Sequence, residues 1–214
     1  CVDCAGRGRG NLFGSARAAR PRQWGSVRVS AQTPVVTYAI IGVCVALWVG
    51  DILTKGVITQ YLGFTPIHGL YQPWRILTTA FLHVNLMHIA FNMVSLYAIG
   101  RALEPALGRG PYFCLYLLSA LGGTLGVLGW VLIDPSSALT VTVGASGAIF
   151  GLFGSVFVLQ RAAGIDVRAV VGLLAVNLLY GFIVSGVSWQ AHLGGLIFGM
   201  LATWGMLALG KPRS

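Results

Sequence analysis

Charge is scarce in this chain, and acidic charge most of all: 214 residues carry five Asp and Glu against fourteen Lys and Arg, and only 9% of the chain is charged. No Asp, Glu or Lys falls in the middle of any long apolar stretch. That absence disfavours proton-coupled transport and intramembrane aspartyl proteolysis, which both need carboxylates at depth. Nor is there an H-E-x-x-H, which a zinc metalloprotease of that type would require. Cysteine is limited to four residues. Cys1 and Cys4 have the C-x-x-C spacing of half a tetrahedral zinc ribbon and cannot close a site alone; two reduced thiols are the equal alternative. Cys44 and Cys114 sit in apolar stretches and read as packing residues.

What the chain has in quantity is apolar surface, 56% of its residues, with thirty glycines. A soluble domain does not have this balance. Six stretches approach the roughly 20 residues needed to cross a bilayer, at about 34 to 52, 75 to 98, 110 to 133, 144 to 160, 167 to 184 and 189 to 209. The fold class expected is an all-α membrane protein, a bundle of six transmembrane helices. Residues 1 to 33, rich in Gly, Ala and Arg, form an expected cytoplasmic linker, a zinc-ribbon remnant of a longer protein, ahead of a membrane domain over 34 to 214.

The net charge of +9 invites a nucleic-acid partner, but the cations are not interleaved with aromatics on a soluble face. They sort by topology instead. With a cytoplasmic amino terminus, Arg7, Arg9, Arg17, Arg20, Arg22, Arg28, Arg101, Arg109, Arg161, Arg168, Lys211 and Arg213 all lie inside, leaving only Lys55 and Arg75 outside. An even number of spans with both termini inside satisfies the positive-inside rule; an odd number destroys it. The bilayer is therefore the expected partner, and nucleic acid is not.

Polar groups in hydrocarbon are costly, so the few present are functional candidates: His83, His88 and Asn92 in span two, Ser146 heading span four, and His192 heading span six. Spans two, four and six run in the same direction, which puts Ser146 and His192 at one depth near the outer face. A serine needs a base to become a nucleophile, and histidine suits that task near neutral pH. No acidic third member is apparent. His88 and Asn92, four apart on one helical face, can both donate to a developing oxyanion, as can the Ser146 N–H at a helix start. Gly195 and Gly199 form a G-x-x-x-G face one turn below His192, and Gly147 and Gly151 repeat that spacing below Ser146. Small residues on both sides would let base and nucleophile meet.

The segments WRILTTAFLHVNLMHIAFN, GASG and AHLGGLIFG closely resemble those of the rhomboid intramembrane serine proteases, over about residues 34 to 210. The resemblance implies Ser146 as nucleophile, with Gly144 and Gly147 around it in the GxSG motif, and His192 as base. It implies His88 and Asn92 for oxyanion stabilisation, and His83 as a further histidine at the water-facing end. Trp74 and Arg75 match a WR pair that shapes the first outer loop, and Glu104 an acidic residue of structural role at the inner end of span two. Phe150 stands where some relatives carry a tyrosine stacked on the base. No metal or organic cofactor is implied, and the expected partners are transmembrane segments of other proteins, hydrolysed near their outer ends at a bacterial plasma membrane. A non-catalytic relative that binds transmembrane clients is the alternative; a small transporter or channel is a more distant one.

Overall fold

The computed structural model describes residues 33–69, 71–183 and 186–209, and among them the chain is helical throughout, with one isolated bridge between Phe64 and Thr142. Five helices are long and apolar enough to cross a membrane: α1 (Val35–Leu53), α5 (Leu86–Leu107), α6 (Arg109–Trp130), α7 (Ser146–Ala163) and α9 (Trp189–Leu209). Helix α8 (Arg168–Ile183) is apolar but has 16 residues, about 24 Å of helix against a hydrocarbon core of roughly 30 Å. Three short helices, α2 (Val57–Leu62), α3 (Pro66–Gly69) and α4 (Arg75–Thr78), fold the connection between α1 and α5. With its apolar helices, the chain is an integral, multi-pass membrane protein.

The second long helix starts eleven residues later than the expected 75, at Leu86. The cause is local. Asn85 has an extended backbone, and its side chain accepts the His88 N–H at 2.8 Å, the arrangement of an N-cap. Residues 75–81 instead form α4 and a turn of 3-10 helix. His83 therefore lies before the helix and not in it.

Glycine sets the packing at the centre, where α6, α7 and α9 make the most extensive contacts of the bundle. A side chain on Gly195 would overlap the Gly147 carbonyl, one on Gly199 the Gly151 carbonyl, and one on Gly194 the Gly122 carbonyl. Bare helix faces thus meet backbone to backbone, as in membrane helix pairs whose association depends on close van der Waals fit. A second, bulkier core of Leu96, Tyr112, Leu115, Tyr116 and Leu152 fills the space among α5, α6 and α7, while α1 covers it with Ile40 and Cys44. Cys44 is fully buried there; Cys114, expected to pack likewise, is exposed on the outer side of α6.

Helix α1 is fastened through its first turn. Glu104, 2% exposed, accepts the N–H groups of Val36 and Thr37 at 2.9 and 2.8 Å and the Thr37 hydroxyl at 2.8 Å. A carboxylate at a helix N-terminus meets both the open N–H groups and the positive end of the dipole.

Candidate active site

The segment leading into α7 is extended and latched on both sides. Phe64 and Thr142 exchange both backbone hydrogen bonds, the Thr79 hydroxyl donates to the Thr142 carbonyl, and the Gly144 N–H donates to the Thr79 carbonyl at 3.0 Å. Gly144 has φ +134°, a conformation that disfavours any side chain. A Cβ there would stand 2.8 Å from the His88 ring and 3.6 Å from Ser146 Oγ, so the missing side chain leaves room for both groups around one point.

Ser146 is the first residue of α7, which leaves its N–H without a carbonyl one turn earlier in the helix. Its Oγ lies 3.0 Å from His192 Nε2. His192 comes from the first turn of α9 and is buried at 6% exposure. The two residues are 46 apart in sequence and meet because Gly147 and Gly195 let their helices touch one turn further in. The other ring nitrogen of His192, Nδ1, is buried without a hydrogen-bond partner among the described residues. Among the described residues no acid orients this imidazole. It is held by packing: the Phe150 ring stacks on it at 4.2 Å, 9° from parallel, and Gly181 of α8, which has no side chain, leaves the space beside Nδ1 open. With Nδ1 carrying the proton, Nε2 is free to accept the serine's.

His88 and Asn92 stand on the α5 face that lines the same cavity as Ser146 and His192. One amide hydrogen of Asn92 is used on the His88 carbonyl at 2.9 Å, and the other remains for a guest. The cavity, of about 1050 Å³, runs between α5 and α8 and reaches Trp130 at the end of α6 and Trp189 at the start of α9.

Other expected site residues fall nearby but outside this cluster. His83 is 2% exposed, not at a water-facing surface; its ring meets the His88 ring edge-on at 5.0 Å, and neither of its nitrogens has a partner among the described residues. The Leu82 backbone just before it is extended, a local break that a hydropathy pattern does not reveal. Arg75 is buried and donates to the Gly63 carbonyl at 2.6 Å and to Gln72 at 2.5 Å, tying the connection between α1 and α5 together. Trp74 is exposed, with its indole N–H on the Tyr61 carbonyl at 3.3 Å. Cys1 and Cys4 lie outside the described residues. Sequence reasoning missed the latch through Thr79, Thr142 and Phe64, since lone residues far apart in the chain carry no spacing signal. Asp134, in an Asp-Pro-Ser-Ser run that is a turn signal, also lines the cavity and was not singled out from the sequence.

A pair of serine and histidine with amide and imidazole donors opposite, in the cavity of a membrane bundle, has the parts of an acyl-transfer centre. Family comparison agrees with that class. Residues 70–209 match the Rhomboid domain, and the chain belongs to the rhomboid family. It is 34% identical over 149 residues to the rhomboid protease GluP of Bacillus subtilis, covering 66% of this chain and 27% of that protein. It is 35% identical over 184 residues to the Bacillus subtilis protein YdcA, covering 80% of this chain and 87% of that one. The rhomboid protease AarA of Providencia stuartii is 30% identical over 152 residues, covering 60% of this chain and 54% of its own length. The family is thus one of membrane proteases, and this chain spans about a quarter of GluP and half of AarA.

Proposed function

We infer that this chain is an intramembrane serine endopeptidase that cleaves transmembrane segments of other proteins with a Ser146/His192 dyad. The observation that carries the reading is the 3.0 Å separation of Ser146 Oγ and His192 Nε2. A substrate segment enters between α5 and α8 and unwinds near its outer end, because a formed helix hides its carbonyls in hydrogen bonds. Ser146 attacks the scissile carbonyl while His192 takes the hydroxyl proton. The developing oxyanion faces the Ser146 N–H, His88 and the remaining Asn92 amide hydrogen. The imidazolium then gives its proton to the leaving amine, and water, activated by the same ring, hydrolyses the acyl-enzyme. No metal or organic cofactor takes part.

The topology that goes with this reading has six spans, α8 being the short one, with both ends in the cytoplasm and the site opening outward. Positive charge supports it, since twelve of fourteen cations then lie inside. A bacterial plasma membrane fits the composition. The test is cleavage of a labelled transmembrane substrate by purified protein in detergent: the parent chain cuts and Ser146→Ala does not. Cutting by the alanine variant removes Ser146 as nucleophile, and a parent that binds but never cuts favours a client-binding protein instead.

A further inference from the structure

The acidic groups of this chain are few enough to account for one by one. Asp51 spends both oxygens on the N–H and hydroxyl of Thr59, each at 2.7 Å. Glu104 caps α1. Asp166 faces Arg168 at 3.9 Å in the exposed turn between α7 and α8. Asp3 lies outside the described residues. Asp134 is different. It follows α6, with its N–H on the Trp130 carbonyl at 2.9 Å, and only its Oδ1 is engaged, by the N–H and hydroxyl of Ser136 at 3.1 and 2.5 Å. Oδ2 has no hydrogen-bond partner among the described residues.

Asp134 also lines the cavity that holds Ser146 and His192, and among the described lining residues it is the one Asp, Glu, Lys or Arg. Three aromatic rings that line the same cavity form one cluster: Trp130, four residues before Asp134 in the chain, meets Trp189 edge-on at 4.9 Å, and Trp189 stacks on Phe182 at 4.5 Å. A half-engaged carboxylate in a cavity also lined by aromatic rings matches an ammonium or guanidinium group, which can take a charge-assisted bond from the one and cation–π attraction from the other. It repels a carboxylate at the same place.

We propose that Asp134, with Trp130 and Trp189, forms a specificity subsite for a Lys or Arg side chain in the substrate segment just outside the scissile bond. The subsite rests on the protease reading of the cavity. Its effect is on which membrane protein is accepted and not on the bond-breaking step.

The experiment uses the whole chain in detergent with one transmembrane peptide in which Lys, Gln or Glu is moved through the positions flanking the scissile bond on its outer side. The readout is the ratio of kcat/KM for the Lys and Glu peptides at each position. The parent favours Lys over Glu by about fivefold or more at one position, the size expected of a partly exposed charge pair. Asp134→Asn keeps the cap acceptor and brings that ratio close to one, and Asp134→Lys inverts it. The same ratio measured as binding in a Ser146→Ala background separates the two readings: preference in binding without cleavage by the parent leaves the subsite standing and overturns the protease. A parent ratio near one throughout, or a ratio that Asp134→Asn and Asp134→Lys leave unchanged, overturns the subsite.

Discussion

The Phe150 ring lies parallel to the His192 imidazole at 4.2 Å, one turn after Ser146 on α7. A histidine with no acid on Nδ1 takes its orientation from this contact, so packing substitutes for the third member of a triad. Replacing the ring should therefore loosen the base without touching the nucleophile. Phe150→Ala is expected to lower kcat about tenfold or more, while Phe150→Tyr, which keeps the stacked face, stays within about threefold of the parent. Cleavage kinetics of the two variants decide the matter, and equal rates for Ala and Phe would mean the ring is idle.

Oxyanion stabilisation by Asn92 has a kinetic signature. Its remaining amide hydrogen is needed only as negative charge develops, so Asn92→Ala should lower kcat by about 100-fold or more and leave KM nearly unchanged. A variant that raises KM alone would reassign Asn92 to substrate binding.

Glycine contacts at the α7–α9 seam allow a paired test of packing. A methyl on Gly199 meets the Gly151 backbone, whereas one on Gly205 of the same helix meets nothing within 4 Å. Gly199→Ala should cost about 1–3 kcal/mol and lower the thermal midpoint in detergent; Gly205→Ala should be neutral or slightly stabilising. Equal midpoints for the two variants would show that the seam yields to a methyl group.

Glu104 offers a test far from the chemistry. Its carboxylate accepts three donors from the start of α1, and Glu104→Gln removes the charge and trades one acceptor oxygen for a donor nitrogen. The expected loss is about 1–3 kcal/mol of stability, read as a lower unfolding midpoint, with the Ser146–His192 geometry intact. An unchanged midpoint would show that the α1 cap does not depend on the carboxylate.

The long helices were legible in the sequence because a membrane span is a composition over many residues and tolerates soft boundaries. Ser146 and His192 could be placed at one level because each heads an apolar run and glycines at matching spacing follow both. The start of α5 was harder to read. Asn85 was an available N-cap, but apolar residues on both sides of it hid the break, and His83 was carried into the helix with them. In the connection between α1 and α5 the resemblance pointed to Trp74 and Arg75, but the bonds they and their neighbours make were not legible: Arg75 reaches the Gly63 carbonyl and Thr79 the Thr142 carbonyl, backbone groups that any residue could have offered. Asp134 escaped for a related reason, since a single turn residue gains meaning only when the cavity it lines is known.

The pairing of Ser146 with His192 is tested most directly by a fluorophosphonate, which reacts with a serine only when a base has raised its nucleophilicity. Mass spectrometry of the labelled chain should find the adduct on Ser146, with labelling abolished in Ser146→Ala and strongly slowed in His192→Ala. An adduct on a different residue, or labelling that persists in Ser146→Ala, would contradict the assignment.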